Sequence, residues 1–150
     1  MALEIERKFL VIDDSYKAVA YKKCEIIQGY ISTAKEATIR VRVIDQHAYL
    51  TIKSITIGTS RDEWEYEVPY QDAIEMLNKL SNGNFVKKTR FYVNDNGHLW
   101  EIDEFHGRHF GLVVAEIELR AENETFTLPS YIGKEVTGDS MYYNSTLVNS

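Results

Sequence analysis

The sequence predicts an α+β fold that is mainly β: an eight-stranded antiparallel barrel, closed on itself, with a polar charged lumen and helices packed outside. Three observations lead there. About eight stretches alternate apolar and polar residues at period two, the mark of strands with two unlike faces. On seven of them the polar face carries charges, and the signs are sorted by stretch rather than mixed. The opposite faces are large and apolar and need cover from helices.

The first strand spans residues 4–11 and sets Glu4, Glu6 and Lys8 on one face against Ile5, Arg7 and Phe9 on the other. Asp13, Asp14 and Ser15 suit the start of a short helix running through Ala18 and Ala20. Residues 26–31 form a second strand with Gln28 and Tyr30 on one face. Residues 37–44 and 49–53 read as a hairpin, with Arg40 and Arg42 on one face of the first arm and Lys53 aligned with Tyr49 and Thr51 on the second. Residues 63–68 alternate most plainly: Glu63, Glu65 and Glu67 against Trp64, Tyr66 and Val68. The period then changes, and Ala73, Ile74, Leu77 and Leu80 define one face of a helix over 72–80, with Gly83 just beyond it. Residues 85–93 return to strand with Lys88 and Arg90 together, and the Asn94 to Gly97 stretch signals a turn. Residues 98–105 place Glu101 and Asp103 against Trp100 and Ile102, and residues 111–119 place Glu116 and Glu118 against Val113, Ala115 and Ile117. The remaining 121–150 are less regular, with short helices expected around Tyr131 and from Ser140 onward.

At 150 residues the chain is long enough for one domain, residues 1–150, with a real core. A hydrophobic content of 44% and a charged content of 27% fit a soluble globular protein rather than a disordered one. The net charge of −6 argues against nucleic acid or an anionic membrane as partner. Cys24 is alone, so no intrachain disulfide and no cysteine-cluster metal site can form. There is no apolar run of membrane-spanning length, and charges near the N-terminus argue against a signal peptide, so a reducing cytoplasm is the expected setting. His47, His98, His106 and His109 fall in or near turns and read as surface residues. The oligomeric state, monomer or homodimer, stays open.

Alternation alone admits two architectures. In an open sheet the charged faces lie outside; in a closed barrel they line a lumen. The sorting of signs favours the barrel. A charged interior cannot be dry without partners, so it must be a wet channel that accepts ions. Basic walls suit a polyanion and clustered carboxylates suit a hard divalent cation, so a linear polyphosphate with Mg²⁺ or Mn²⁺ meets both requirements.

Glu4-Ile5-Glu6-Arg7-Lys8 resembles the ExExK signature of the CYTH superfamily, the triphosphate tunnel metalloenzymes. The resemblance extends in order through Arg40-Val41-Arg42, Thr51-Ile52-Lys53, Glu63-Trp64-Glu65, Lys88-Thr89-Arg90, Glu101-Ile102-Asp103, Glu116-Ile117-Glu118 and the Glu135-Val136-Thr137 segment, covering essentially the whole chain. It implies an eight-stranded tunnel and divalent-metal-dependent chemistry on a small-molecule triphosphate. By position it implies Glu4 and Glu6, with Glu116 or Glu118, as metal ligands; Asp103 is a further metal candidate on its own chemistry. Lys8, Arg40, Arg42, Lys53, Lys88 and Arg90 resemble the phosphate-binding set; on mechanistic grounds the candidate catalytic set is Glu4, Glu6 and Lys8 with Glu63 and Glu65, either of which would orient the attacking water. The leading expectation is hydrolysis of inorganic tripolyphosphate, with nucleoside triphosphates as further substrates. A class IV-type adenylyl cyclase, a thiamine triphosphatase and a non-catalytic polyphosphate or nucleotide binder are the alternatives. Arg40 and Arg42 could also pair with Glu63 and Glu65 across the lumen, and Glu101 and Asp103 could serve as structural partners of arginine.

Overall fold

Closure of the sheet takes place at the first strand. The structure is a computed structural model and describes residues 2–148. In it β1 (Ala2–Val11) pairs antiparallel on one edge with β5 (Ser60–Val68), Glu4 opposite Arg61. Its other edge pairs with β8 (Val113–Glu118), Glu6 opposite Glu118 and Lys8 opposite Glu116. The remaining neighbours follow as β4 (His47–Ser54), β3 (Ala37–Ile44), β2 (Lys22–Ala34), β6 (Phe85–Asp95) and β7 (His98–Phe105). The order β5-β4-β3-β2-β6-β7-β8-β1, with β1 back on β5, is a closed antiparallel barrel of eight strands. The open-sheet architecture is thereby excluded.

Local chemistry sets the turns. The β6–β7 hairpin closes with Asp95 opposite His98, and both Asn96 and Gly97 between them have positive φ, the geometry of the primed turn that matches strand twist. At the β3–β4 corner Asp45 takes positive φ, which a short polar side chain tolerates.

The apolar outer faces are covered in two places. Helix α2 (Tyr70–Leu80) lays Ala73 and Leu77 on Val41, Val43 and Ala48. On the far side, Tyr16 from α1 (Tyr16–Val19) and Phe126 and Tyr131 from the long segment after β8 pack over Ile5, Phe9, Trp100, Ile102 and Ile117. A third cluster lies inside the barrel. At one end of the lumen the inward residues of the wall turn from charged to apolar, and Tyr30, Val86, Phe105 and Val114 meet Leu147 of α3 (Asn144–Leu147) and Val148. The C-terminal segment therefore stops that end of the channel.

Two differences from the sequence expectation concern the tail. The helix expected around Tyr131 is instead a strand, β9 (Ile132–Glu135), which adds to β1 beyond the point where β5 leaves it, with Phe9 opposite Glu135. Four residues carry too little pattern to declare a strand; the unpaired edge of β1 makes it one. The expected helix from Ser140 onward is split into a 3₁₀ turn over Ser140–Tyr142 and α3. The histidines also divide: His47 and His106 are exposed, whereas His98 and His109 are half-buried, His98 against Phe126 and Glu124 and His109 against the Leu147 carbonyl.

Gly29 of β2 lies under α2, where an added Cβ would sit 2.8 Å from Leu77 Cδ2 and 3.1 Å from Ser81 Cβ. Gly29→Ala should therefore cost about 1–3 kcal/mol in urea unfolding, the usual penalty of overpacking a fitted contact. A neutral result would mean that α2 is free to lift.

Candidate active site

Period-two alternation aims one face of every barrel strand inward, so residues distant in sequence meet in a common space. That space is a cavity of about 200 Å³ lined almost wholly by polar and charged side chains. Of the residues singled out from the sequence, Glu4, Glu6, Lys8, Arg40, Arg42, Lys53, Glu63, Glu65, Arg90, Glu116 and Glu118 all line it.

Lys88 and Asp103 do not. Lys88 is fully buried, with Nζ 2.7 Å from Asp103 Oδ2 and 3.2 Å from Asn144 Oδ1. Asp103 also accepts two bonds from Arg90, Nε to Oδ1 at 2.7 Å and Nη2 to Oδ2 at 2.9 Å. Both carboxylate oxygens of Asp103 are thus taken, and it sits inside the barrel beyond the cavity, toward the apolar end, as the clamp of Arg90 rather than as an open metal ligand. The cations it faces hold its carboxyl well below the usual range despite burial. Glu101 reaches the cavity and also meets Arg90, at 3.2 Å.

The charges fall into two territories. One wall carries Arg40, Arg42 and Arg90. Arg40 contacts Thr51 at 3.2 Å and Glu65 at 3.5 Å, its Nε being buried without a partner; Arg42 Nε donates to Gln28 at 3.0 Å. Of the pairing expected for these arginines, the described residues show Arg40 with Glu65, and the two meet along one wall on either side of Thr51 rather than across the lumen. Burial first, and then the nearby Arg40 and Arg90, lower Arg42 to about 10. The other wall carries Glu4, Glu6, Glu63, Glu116 and Glu118. Burial raises Glu6 to about 8, helped by Glu116 and Glu4, while Lys8, 3.4 Å from Glu116, holds Glu116 ionised against its own burial. Glu118 and Glu63 are raised too, first by burial and then by neighbouring carboxylates. Glu4 is the exception. Lys53 and Arg61 overcome its burial and bring it down to about 2. Carboxylates crowded against one another and forced to retain protons are the donor set that suits a hard divalent cation. As they stand, no three acidic side chains among the described residues form a ready chelate.

Several contributors escaped the sequence reading. Arg61 lies on the lumen face, 3.1 Å from Glu4 and 3.6 Å from Glu6. It precedes Glu63 by two on the same strand, so starting β5 at Ser60 instead of 63 would have found it. The C-terminal segment supplies the carbonyl of Tyr142, which accepts from Lys8 Nζ at 3.1 Å, and Asn144, which holds Lys88. No periodic signal marks these.

An enclosed antiparallel barrel with a basic wall facing an acidic wall defines a tunnel protein built for a polyanion and a cation together. The chain belongs to the CYTH domain family, whose model matches residues 2–146. It is 47% identical over 150 residues to an inorganic triphosphatase of Acetivibrio thermocellus, covering 100% of this chain and 96% of the relative. An inorganic triphosphatase of Nitrosomonas europaea is 35% identical over 154 residues, covering 98% of this chain and 97% of the relative. A solved inorganic triphosphatase superposes with a TM-score of 0.68 at 32% identity, covering 98% of each chain.

Burial depresses the Lys88 ammonium to about 7, aided by Arg90 and Arg42 and opposed by Asp103. The unfolded chain keeps this proton up to the ordinary lysine value of 10.5, so between about pH 7 and 10.5 the unfolded state binds more protons and Lys88 titration adds stability as pH rises. Thermal melts of wild type and Lys88→Met should show the wild-type advantage growing with pH across that window. A difference that stays flat or shrinks would contradict a depressed lysine.

Proposed function

We propose that the protein hydrolyses the terminal phosphoanhydride bond of a linear triphosphate, with inorganic tripolyphosphate as the preferred substrate and Mg²⁺ or Mn²⁺ as the required ion. One observation carries this: four arginines and two lysines share with seven carboxylates a cavity that is stopped at one end. Among the described residues the lining offers Tyr30 and Tyr143 but no aliphatic side chain for a nucleobase or thiamine ring, which favours the inorganic substrate.

Arg40, Arg42 and Arg90 grip phosphate oxygens through their planar forks, with Lys8 and Lys53 as point charges. Asp103 and Lys88 fix Arg90 from behind and so place that fork before substrate arrives. Glu4, Glu6, Glu116 and Glu118 would hold the divalent ion, whose chemistry is to neutralise charge on the transferring phosphoryl group. Glu63, raised by burial and by Glu4, is placed to take the proton of the attacking water. The water oxygen bonds to the terminal phosphorus, the bridging P–O bond breaks, and its electron pair leaves with the pyrophosphate product. Glu65, bonded to Thr51 at 2.7 Å and to Arg40, orients the arginine wall.

The same proposal treats residues 1–150 as one domain, with a small soluble substrate and a cytoplasmic setting in which the buried Cys24 stays a thiol.

Phosphate release should be measured with Mg²⁺ or Mn²⁺ on tripolyphosphate, ATP and thiamine triphosphate. Tripolyphosphate should turn over fastest, and ATP should give ADP and phosphate. Cyclic AMP with pyrophosphate would point to cyclisation, and binding without turnover to a sensor. Glu4→Gln and Lys8→Ala should each lower turnover about 10²-fold or more, the usual cost of removing a charge that meets the transition state. Full activity in both folded variants would reject the site.

A further inference from the structure

Arg61 sits against Glu4 and Glu6, two of the carboxylates that would hold the divalent ion. It lies opposite Glu4 in the β1–β5 register, and its guanidinium reaches both carboxylates of the first strand, Nε to Glu4 at 3.1 Å and Nη2 to Glu6 at 3.6 Å. Lys53 holds the same Glu4 carboxylate through Nζ, at 3.1 and 3.2 Å. An ion of the Mg²⁺ class binds carboxylate oxygens at about 2.0–2.1 Å in near-octahedral geometry, so two ligands on one ion lie only about 3 Å apart. A guanidinium bridging the same two carboxylates leaves no room between them for that ion, and the two cations would repel one another. The lack of a ready three-carboxylate chelate among the described residues has the same origin, because Glu4 is turned toward Arg61 and Lys53.

We propose that Arg61 is a displaceable occupant of the metal position: it neutralises Glu4 and Glu6 in the free protein, must withdraw when the divalent ion enters, and then turns its fork to the phosphate oxygens of the substrate. This rests on the metal-dependent triphosphatase function proposed above. The room for withdrawal exists. The Arg61 side chain is 24% exposed and lines the same cavity as Arg40 and Lys53, so its new partners lie within the lumen. The β4–β5 loop that precedes it, including Thr56, Gly58 and Thr59, also borders the cavity. The arrangement couples the two ligands. Metal alone must break two ion pairs, whereas metal arriving with a polyanion offers the freed guanidinium new acceptors, so each ligand improves the other's affinity. Arg61 is a substrate-binding and selectivity residue in this scheme, and it keeps Glu4 and Glu6 from other cations until substrate is present.

The test is Mn²⁺ binding to the full-length protein without substrate, followed by the electron paramagnetic resonance signal of free Mn²⁺. Arg61→Gln should bind Mn²⁺ about tenfold more tightly than wild type, within the usual span of coupled sites. The double variant Arg61→Gln with Glu4→Gln should lose that gain, which a general loosening of the barrel would not produce. If Arg61→Gln does not fold, Arg61→Lys carries the comparison with the same sign, since it keeps the charge but loses the bridging fork. Equal or weaker Mn²⁺ binding by a folded Arg61 variant, with wild type binding normally, would overturn the role of Arg61 and leave the metal site standing. Absence of Mn²⁺ binding in every form would overturn both.

Discussion

Charge held inside a closed sheet is the condition on which this molecule is built. Arginines, lysines and glutamates from all but one of the barrel strands face one narrow space. None of them can be left there unpaired, because desolvating a lone charge costs far more than a fold can spare. The protein meets the condition unevenly. Asp103 is saturated by Lys88 and Arg90. Glu4 is saturated by Lys53 and Arg61. Arg42 and Glu6 are met less fully: Arg42 donates to Gln28 but has Arg40 and Arg90 nearby, and Glu6 has Arg61 at 3.6 Å but Glu116 and Glu4 beside it. Those unbalanced members give the lumen an affinity for a polyanion on one wall and for a cation on the other.

An inward charged face obliges an outward apolar one, and the rest of the chain is arranged to hide it. Helix α2 covers β3 and β4, while α1, the segment after β8 and β9 cover β1, β6, β7 and β8. The tail then does a second job. β9 runs along β1, Val136 donates to the Lys8 carbonyl, and the chain turns inward so that Tyr142 and Asn144 reach the two lysines while Leu147 and Val148 seal the apolar end. Stability and function meet in this segment, because the stretch that stops the channel with Leu147 and Val148 also holds Lys8 and Lys88 through Tyr142 and Asn144.

Much of this was legible in the residues. Alternation at period two named every barrel strand and the face each would turn inward, since that periodicity is a direct consequence of strand geometry. Alternation does not say how far along the barrel a side chain sits. Lys88 and Arg90 share a face and are two apart, yet Arg90 reaches the cavity and Lys88 lies behind it against Asp103. Level is decided by strand stagger and by what closes the end, which are tertiary facts. Arg61 was hidden for a smaller reason: the strand begins three residues before its plainest alternation. β9 was hidden because four residues become a strand only when a free edge is offered to them.

The most direct test of the central claim is a crystal structure with Mn²⁺ and a non-hydrolysable tripolyphosphate analogue, using anomalous scattering to place the metal. The account predicts a Mn²⁺ peak against Glu4, Glu6 and the Glu116–Glu118 strand, with phosphate oxygens on Arg40, Arg42 and Arg90 inside the barrel. An analogue bound on the outer surface, or a lumen that stays free of both ligands at saturating concentration, would contradict it.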